Sequence, residues 1–286
     1  MATLFVEQIS VVDCALLDAE AGLLGASWIV DAELEGDLDR QGMVEDFGPL
    51  KRRLKQALDA LVDHRLLVPR RHPGLWLAQH DGRLALHFDG PVDGAIEHHS
   101  PPAAVAVLDA ERIDAGTLTE YLQARLALQD PPTARLRLQL RAEAIDGAAY
   151  RYVHGLRQHD GPCQRIAHGH RSRLSIWTDG QRDRRLETGL AKAWHRRYLG
   201  RRDDLLHAAG GRLRFGYRAG EGAFELELPA SRCALLDAPT TVENLAALLA
   251  AQAAPLRPGR RVRVRAYEGV QKGAVAEAGP VQGAFS

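Results

Sequence analysis

The feature that most constrains the fold of this 286-residue chain is an internal repeat. The segment GTLTEYLQARL at 116–126 aligns without gaps with PTTVENLAALL at 239–249, and an LDA triplet precedes each copy. A strand pattern of alternating apolar and polar residues follows each copy, at 134–142 and at 260–268. Self-similarity over this distance predicts two copies of one supersecondary unit.

Both copies have the same predicted order of secondary-structure elements. Two strand-like runs open the unit, an amphipathic helix follows, and a glycine-bounded hairpin leads to a second helix and a last strand. Leu50, Leu54 and Leu58 recur at helical spacing in the first copy, and residues 186–199 are the expected counterpart helix in the second. The order predicts an α+β fold of two tandem domains, each an antiparallel sheet with two helices packed on one face.

The two predicted domains span 1–146 and 147–286. The joint between them contains no Pro- or Ser-rich linker, so we expect the domains to dock closely.

Composition excludes several classes of function. Lys plus Arg and Asp plus Glu each number 37, so there is no excess of cations for binding a nucleic acid. No apolar run approaches the roughly 18 residues of a membrane helix, and the N-terminus lacks a secretion signal. The three cysteines, Cys14, Cys163 and Cys233, form no even disulfide framework. We therefore expect a cytoplasmic protein with no nucleic-acid or membrane partner.

The strongest chemical signal is a group of three histidines in the second copy. His168 and His170 are two residues apart in a predicted strand, so their side chains leave on the same face, and His154 lies on the preceding strand. Three histidines from two strands leave a fourth position open, which is typical of catalytic zinc. The alternative is chance clustering on a solvated face, since the chain contains 12 histidines.

Three other residues are candidates for proton transfer. Cys163 precedes His168 in a Gly-Pro turn, where a partly exposed thiol could act as base or nucleophile; a small apolar side chain in a loop is the alternative. Asp63 and His64 lie at the C-terminal end of the amphipathic helix, where the carboxylate could orient the ring. By itself the pair is a weak signal, and a solvated helix end is the better explanation without further context.

Two other polar features are weaker. Glu268 continues the apolar parity of its strand, which suits a buried carboxylate that binds a guanidine-like N–H edge, although a solvent-facing strand end is about as consistent with parity alone. The histidine-rich region that contains His87, His98 and His99 is interpreted as a solvated loop.

Together these motifs resemble those of the 6-pyruvoyl-tetrahydropterin synthase and 6-carboxytetrahydropterin synthase family, enzymes of the tunnelling fold (T-fold). The resemblance covers nearly the whole chain but is divided between the copies. The matching residues are His154, Cys163, His168-Gly169-His170, the Gly-Met-Val-Glu-Asp-Phe segment at 42–47, Asp63-His64, Pro239 with Thr241-Val242-Glu243-Asn244-Leu245, and Glu268.

Each copy departs from the family pattern in a complementary way. In the first copy Leu24 and Ala26 align with the paired histidines, Ser10 with the first histidine and Ala144 with Glu268, so this copy cannot hold the zinc. The second copy has no convincing Asp-His pair. The resemblance therefore implies one composite site per chain, with the Asp-His pair supplied by the first copy of the same or a neighbouring chain.

The resemblance implies a zinc-dependent lyase that acts on 7,8-dihydroneopterin triphosphate. Zn²⁺ would be held by the three histidines, and the thiolate of Cys163 would move a proton with His64 as its partner and Asp63 orienting that ring. Glu268 would anchor the pterin, with Thr241 and Glu243 of the matching segment also in substrate binding. Candidates for binding the triphosphate are Arg157, Arg165 and Arg171.

The resemblance leaves the product and the assembly open. We favour 6-carboxy-5,6,7,8-tetrahydropterin, formed with loss of acetaldehyde on the route to deazapurines such as queuosine. The alternatives are elimination of triphosphate to the pyruvoyl compound of the biopterin pathway, a reaction on an altered pterin, or a non-catalytic zinc- or pterin-binding relative. A homo-oligomer is expected, either a trimer of fused two-domain chains or a dimer.

Overall fold

The computed structural model describes residues 1–90, 93–126 and 134–280. The first half follows the predicted order, with a three-stranded meander where a hairpin was expected. Its elements are β1 (Ala2–Asp18), β2 (Gly22–Gly36), α1 (Phe47–Leu61), β3 (Leu66–Pro69), β4 (Leu75–His80), β5 (Arg83–Phe88), β6 (Ile96–Ser100), β7 (Val105–Leu108), α2 (Ala115–Leu126) and β8 (Ala134–Arg141).

The second half repeats this order and adds two short strands. Its elements are β9 (Ala149–His154), β10 (His168–Thr178), β11 (Gln181–Arg182), α3 (Arg184–Trp194), β12 (Arg197–Arg201), β13 (Leu205–Ala209), β14 (Arg212–Ala219), β15 (Gly222–Pro229), β16 (Cys233–Leu236), α4 (Val242–Ala253), β17 (Val262–Tyr267) and β18 (Gly273–Ala278). The helix expected over 186–199 ends at Trp194, because His195 has an extended backbone with a ψ of 134°, and Arg196 then adopts a left-handed conformation with a φ of 59°.

The main sheets of the two halves have equivalent strand orders, β7-β3-β1-β2-β8 and β16-β12-β9-β10-β17-β18. Both sheets are mixed, since β3 and β7 run parallel to β1, and β12 and β16 run parallel to β9. The helices α1 and α3 lead into β3 and β12, which pair parallel with β1 and β9, whereas the meanders β4–β6 and β13–β15 connect the parallel pairs β3–β7 and β12–β16. This architecture confirms the predicted α+β fold of two repeated units.

Each main sheet packs two helices on one face and has its own apolar core. In the first half, leucines of α1 and α2 pack against β1 and β2. In the second half, α3 and α4 bury leucines and Trp194 against β9, β10 and β17. The predicted helical leucines Leu50, Leu54 and Leu58 are all buried.

A third sheet and a third core belong to both halves. The meanders join edge to edge in the order β13-β14-β15-β6-β5-β4, with His98 opposite Leu226 at the junction. The core beneath this sheet contains Phe88 from the first half and Phe215 and Phe224 from the second. Within the described residues, no helix is long and apolar enough to cross a membrane.

The interpretation of the His87, His98 and His99 region as a solvated loop is wrong. His87 lies on β5 and the other two on β6, and His98 is only 1% exposed. The missed signal is the period-two alternation in which Ile96, His98 and Ser100 share the buried face of the strand.

Candidate metal and catalytic site

Strand register brings the three predicted histidines together. In the antiparallel pair β9–β10, His168 lies directly opposite His154, and His170 is two residues further along β10. Nε2 of His154 and Nε2 of His170 are 3.1 Å apart, and one ligand atom from each of the three rings lies within 4.8 Å of the others. All three side chains are almost completely buried. The arrangement can hold a metal ion.

Polar neighbours fix two of these rings through Nδ1. His154 Nδ1 lies 2.9 Å from the hydroxyl of Thr240, and His168 Nδ1 lies 2.9 Å from the carbonyl oxygen of Arg165. Nε2 of His168 is buried and has no hydrogen-bond partner among the described residues. Burial, with the charge of neighbouring histidines, lowers the pKa of His154 and of His168 well below the usual value. Neutral rings whose outer nitrogen is occupied fit the requirements of metal ligands.

The third ring contacts a carboxylate from the first half. Asp13 of β1 is buried, and its Oδ1 lies 3.2 Å from His170 Nδ1 and accepts a 2.5 Å hydrogen bond from the hydroxyl of Ser27. Nζ of Lys272 is 3.2 Å from its Oδ2. Burial alone would raise the pKa of Asp13, but His170, Lys272 and Ser27 together hold it below its usual range. Sequence reasoning missed Asp13, although an acid within the apolar run of 11–17 was an available signal.

The Asp-His pair of the first half reaches this site within the same chain. It lies in the turn between α1, which ends at Leu61, and β3, so it follows the helix end rather than forming it. His64 has a φ of 53°, and its backbone N–H donates to the carbonyl of Asp13 at 2.7 Å. Oδ2 of Asp63 lies 2.6 Å from His64 Nδ1, and its Oδ1 accepts from the backbone N–H of Asp13 at 2.8 Å. Both side chains are therefore held against β1.

Cys163 lies beside His64. It sits in the 3-10 turn Pro162–Gln164 and is half-buried. Ligand atoms of His64, Cys163 and His168 lie within 4.8 Å of one another. Burial would lower the pKa of His64, but its interactions with Asp63 and Cys163 raise it to about 10. The ring is thus a cation at neutral pH, placed where it can stabilise a thiolate.

Glu268 lies at the edge of the histidine site, immediately after β17. Its Oε1 is 3.9 Å from His170 Nε2, its Oε2 is 3.9 Å from Lys272 Nζ, and its side chain is 23% exposed. It is therefore neither a solvated strand end nor a buried, fully paired carboxylate. The carboxylate therefore lies within 4 Å of one ring of the histidine site.

The other two predicted substrate-binding residues lie further from the histidines. Thr241 is the N-cap of α4 and accepts from the backbone N–H of Asn244 at 3.4 Å, and Glu243 is exposed in the first turn of that helix. The preceding residue, Thr240, is the one that contacts a histidine. Sequence reasoning missed Thr240 because the matching family segment includes Pro239 and Thr241 on either side of it but not Thr240 itself.

A cavity of about 220 Å³ opens beside His154, and Thr241 is one of its lining residues. Arg157 also lines it, and its Nη1 is 2.8 Å from a carboxylate oxygen of Asp204. Arg201 lines the same cavity. The cavity therefore offers a ligand two guanidinium groups next to the histidine site.

The other two arginines suggested for the triphosphate do not line this cavity. Arg165 is buried, and its Nε donates to Glu221 at 2.8 Å. Nη1 of Arg171 donates to the carbonyl of Glu143 at 2.8 Å. Of the three candidates, only Arg157 lies in the cavity.

The first half cannot hold a metal at the equivalent position. Leu24 and Ala26 take the places of His168 and His170, as predicted, but the counterpart of His154 is Leu16, which pairs with Leu24, and not Ser10. Counting residues fails because a tight turn at 19–21 replaces the 155–167 loop that carries Cys163.

Register also corrects the counterpart of Glu268. Leu140 pairs with Val30 as Ala266 pairs with Leu174, so Ala142 rather than Ala144 is equivalent to Glu268. Either alignment leaves an alanine in place of the carboxylate.

In the second half, an arginine occupies the place of His64. Arg196 has a φ of 59° and donates its backbone N–H to the carbonyl of Arg151 at 2.8 Å, as His64 does to Asp13. His195 precedes it, in the place of Asp63. The sequence predicts that the second half has no Asp-His pair, and the structure shows His195-Arg196 in its place.

Comparison with known proteins gives one family. The model of the 6-pyruvoyl tetrahydropterin synthase family matches residues 18–138 and 147–279. Comparison with curated proteins gives no significant match.

Solved structures of 6-pyruvoyl tetrahydropterin synthases are similar to this chain over about half of its length. A catalytic-residue mutant of Plasmodium vivax 6-pyruvoyltetrahydropterin synthase is 20% identical, with a TM-score of 0.41, covering 49% of this chain and 90% of that one. The Plasmodium falciparum 6-pyruvoyl tetrahydropterin synthase is 19% identical, with a TM-score of 0.37, covering 49% of this chain and 98% of that one. Because the family model matches both halves, the chain belongs to the 6-pyruvoyl tetrahydropterin synthase family, as a tandem duplication of the T-fold.

Proposed function

We propose that this protein is a zinc-dependent 6-carboxy-5,6,7,8-tetrahydropterin synthase, a cytoplasmic lyase that acts on 7,8-dihydroneopterin triphosphate in the deazapurine (queuosine) pathway. The observation that carries the proposal is the meeting of His64, from the first half, with Cys163 and the three buried histidines of the second. Each half lacks part of this set, and one chain completes it.

His154, His168 and His170 would hold the zinc ion. Their ligand atoms converge, and the buried, unpaired Nε2 of His168 is a donor in need of a partner. When bound, zinc supplies a Lewis acid that polarises the side-chain oxygens of the pterin and acidifies the adjacent C–H bond. Asp13 and Thr240 orient the rings through their contacts at Nδ1.

Cys163 and His64 would form the proton-transfer pair. The thiolate of Cys163 accepts the proton from the substrate carbon, and the cationic His64 stabilises that thiolate before transfer and can donate a proton in return. Asp63 holds the ring at Nδ1, and its second oxygen accepts from the backbone N–H of Asp13, so contacts within the first half set the ring orientation.

The substrate would lie between Glu268 and the cavity beside His154. Glu268 would accept hydrogen bonds from the N–H edge of the pterin ring, and its 3.9 Å distance from His170 Nε2 supports a pterin side chain near the histidines. Thr241 and Arg157 in the cavity are positioned for the rest of the substrate, with Arg157 meeting the triphosphate. We also propose that Glu243, in the exposed first turn of α4, contributes to substrate binding. We propose a homo-oligomer, a trimer of two-domain chains or a dimer.

The test is an anaerobic assay of zinc-loaded protein with 7,8-dihydroneopterin triphosphate, with products identified by mass. We expect 6-carboxytetrahydropterin, acetaldehyde and triphosphate from the wild type, and loss of all three in Cys163→Ala and His64→Ala. Cys233→Ala is the matched control, because this half-buried thiol lies on β16 outside the site.

Each other outcome has a definite meaning. A pyruvoyl product in place of the carboxy compound would assign the chain to the triphosphate elimination of the biopterin pathway. No turnover by protein that holds stoichiometric zinc would contradict the synthase proposal and favour a zinc- or pterin-binding role or an altered pterin substrate.

A further inference from the structure

The position equivalent to the catalytic site, on the opposite side of the contact between the halves, carries a group of arginines. Arg151 and Arg196 take the places of Asp13 and His64, as the matched backbone hydrogen bonds show. Arg171 lies directly opposite Arg151 in the β9–β10 pair. Three arginines therefore lie at adjacent positions of two strands and one turn.

The side-chain hydrogen bonds of Arg151 and Arg171 go to backbone carbonyl groups. Nη1 of Arg151 donates to the carbonyl of Gly25 at 3.4 Å, and Nη1 of Arg171 donates to the carbonyl of Glu143 at 2.8 Å. Carbonyls accept hydrogen bonds but bring no negative charge. The carboxylate of Glu143 lies 3.2 Å from Arg173 instead. Across 1–90, 93–126 and 134–280, none of the three arginines forms an ion pair with a carboxylate.

The arginines act on one another electrostatically. Burial, Arg171 and Arg196 lower the pKa of Arg151, against smaller opposing contributions from Cys14 and Asp18. Like charges on directly opposed strand residues destabilise a sheet. The chain as a whole has no net charge, so this concentration of cations is local.

We propose that Arg151, Arg171 and Arg196 form a binding site for an oligophosphate anion, separate from the catalytic site. Guanidinium groups bind phosphate oxygens in bidentate pairs, and a ligand with several negative charges would offset the repulsion among three of them. Leu16 and Leu24 replace the histidines at this position, so no metal cation competes with the anion. The site does not depend on the proposed enzymatic activity.

The test is calorimetric titration of the full-length protein with inorganic triphosphate at low ionic strength. We expect saturable binding in the wild type whose affinity is weakened at least tenfold in Arg171→Gln and in Arg196→Gln and is weakened further by added salt. Arg218→Gln is the matched control, since this exposed arginine lies on β14, and it should bind like the wild type. Far-UV circular dichroism verifies that each variant is folded.

Two further variants separate this site from the catalytic one. His168→Ala, which removes a zinc ligand, should leave triphosphate binding unchanged, and Arg196→Gln should leave turnover of the proposed substrate unchanged. Equal binding by the wild type, Arg171→Gln and Arg196→Gln would overturn the proposal. Binding that is lost in Arg157→Gln but kept in Arg196→Gln would overturn it as well, because the anion would then lie in the catalytic cavity.

One other result would show that the arginines contact a second copy of the chain and not an oligophosphate. If the wild type binds no triphosphate and Arg196→Gln changes the molar mass in light scattering, the arginines contact a second copy of the chain, and the oligophosphate proposal is wrong.

Discussion

The two halves of this protein have the same strand register but different chemistry at equivalent positions. His168 and His170 of β10 form the candidate metal site, whereas Leu24 and Ala26, at the same places on β2, belong to an apolar core. The backbone of the T-fold therefore does not itself specify a metal site. A pair of facing strands supplies the geometry, and a few side chains decide between metal binding and core packing.

Each half lacks some residues of the candidate site, and the other half can supply them because the two halves contact each other closely. A Cβ atom at Gly25 would lie 2.1 Å from the carbonyl oxygen of Tyr152, and one at Gly169 would lie 2.8 Å from Cα of Gly25. Two glycines thus let β2 approach the β9–β10 pair. This approach is what places Asp13 against His170 and His64 beside Cys163.

The largest difference between the halves should appear when equivalent residues are truncated. His168→Ala should remove bound zinc and reduce kcat/KM by about a thousandfold or more, since a catalytic metal contributes several kcal/mol to the barrier. Leu24→Ala should keep the zinc and kcat/KM but lower the free energy of unfolding by about 2–5 kcal/mol, because Leu24 is buried in the first core. Metal analysis, steady-state kinetics and denaturant unfolding measure the three quantities. Zinc retained at full stoichiometry in His168→Ala would contradict the proposed ligand set.

His64 and Arg196, which occupy equivalent turns at positive φ, provide the second comparison. His64→Gln should lower kcat about 10²- to 10⁴-fold, the usual contribution of a general acid–base group, and should leave zinc content unchanged. Arg196→Gln, at the equivalent turn, should leave kcat unchanged. Since both side chains follow matched backbone conformations, a similar loss in the two variants would indicate damage to the fold rather than to proton transfer.

Asp13 is expected to act on the metal through His170 as a positioning residue. Asp13→Asn should weaken zinc affinity about 10- to 100-fold, because the ring loses the carboxylate that fixes its orientation. Competition with a chelator gives the affinity, and restored activity at high zinc concentration would distinguish positioning from misfolding. Asp18→Asn is the control on the same strand, since within the described residues its side chain accepts only from backbone N–H groups of its own turn. Unchanged affinity in Asp13→Asn would show that Thr240 and Arg165 suffice.

Local patterns in the sequence predicted most of the fold and the residues with obvious chemistry. The repeat, the helical leucines and the three histidines depend on spacing within one segment, and the structure places them as predicted. Asp13 was missed because its role depends on the approach of β1 to β10 from the other half, which no local period encodes. The alignment of Ser10 with His154 failed for a related reason, because the connecting loops differ in length.

The junction between the two meanders has a histidine on one side and a leucine at the counterpart position on the other. His98 of β6 pairs with Leu226 of β15, where the two meanders join, and both lie in the shared core. Burial, with the charge of His99, lowers the pKa of His98 from 6.5 to about 3. Between these values the unfolded chain binds a proton that the folded chain does not, so stability falls as the pH falls from about 6.5, by about 1.4 kcal/mol per pH unit.

His98→Leu should remove this dependence by making the two sides of the junction alike. Above pH 7 the variant should be at least as stable as the wild type, because the buried Nδ1 of His98 has no hydrogen-bond partner in the described part of the chain. Urea unfolding between pH 4 and 8 measures the difference in slope between the two proteins, which cancels the contributions of other titrating groups. Parallel pH dependences would show that His98 is protonated in the folded state, and that the junction between the halves holds a charge rather than an apolar contact.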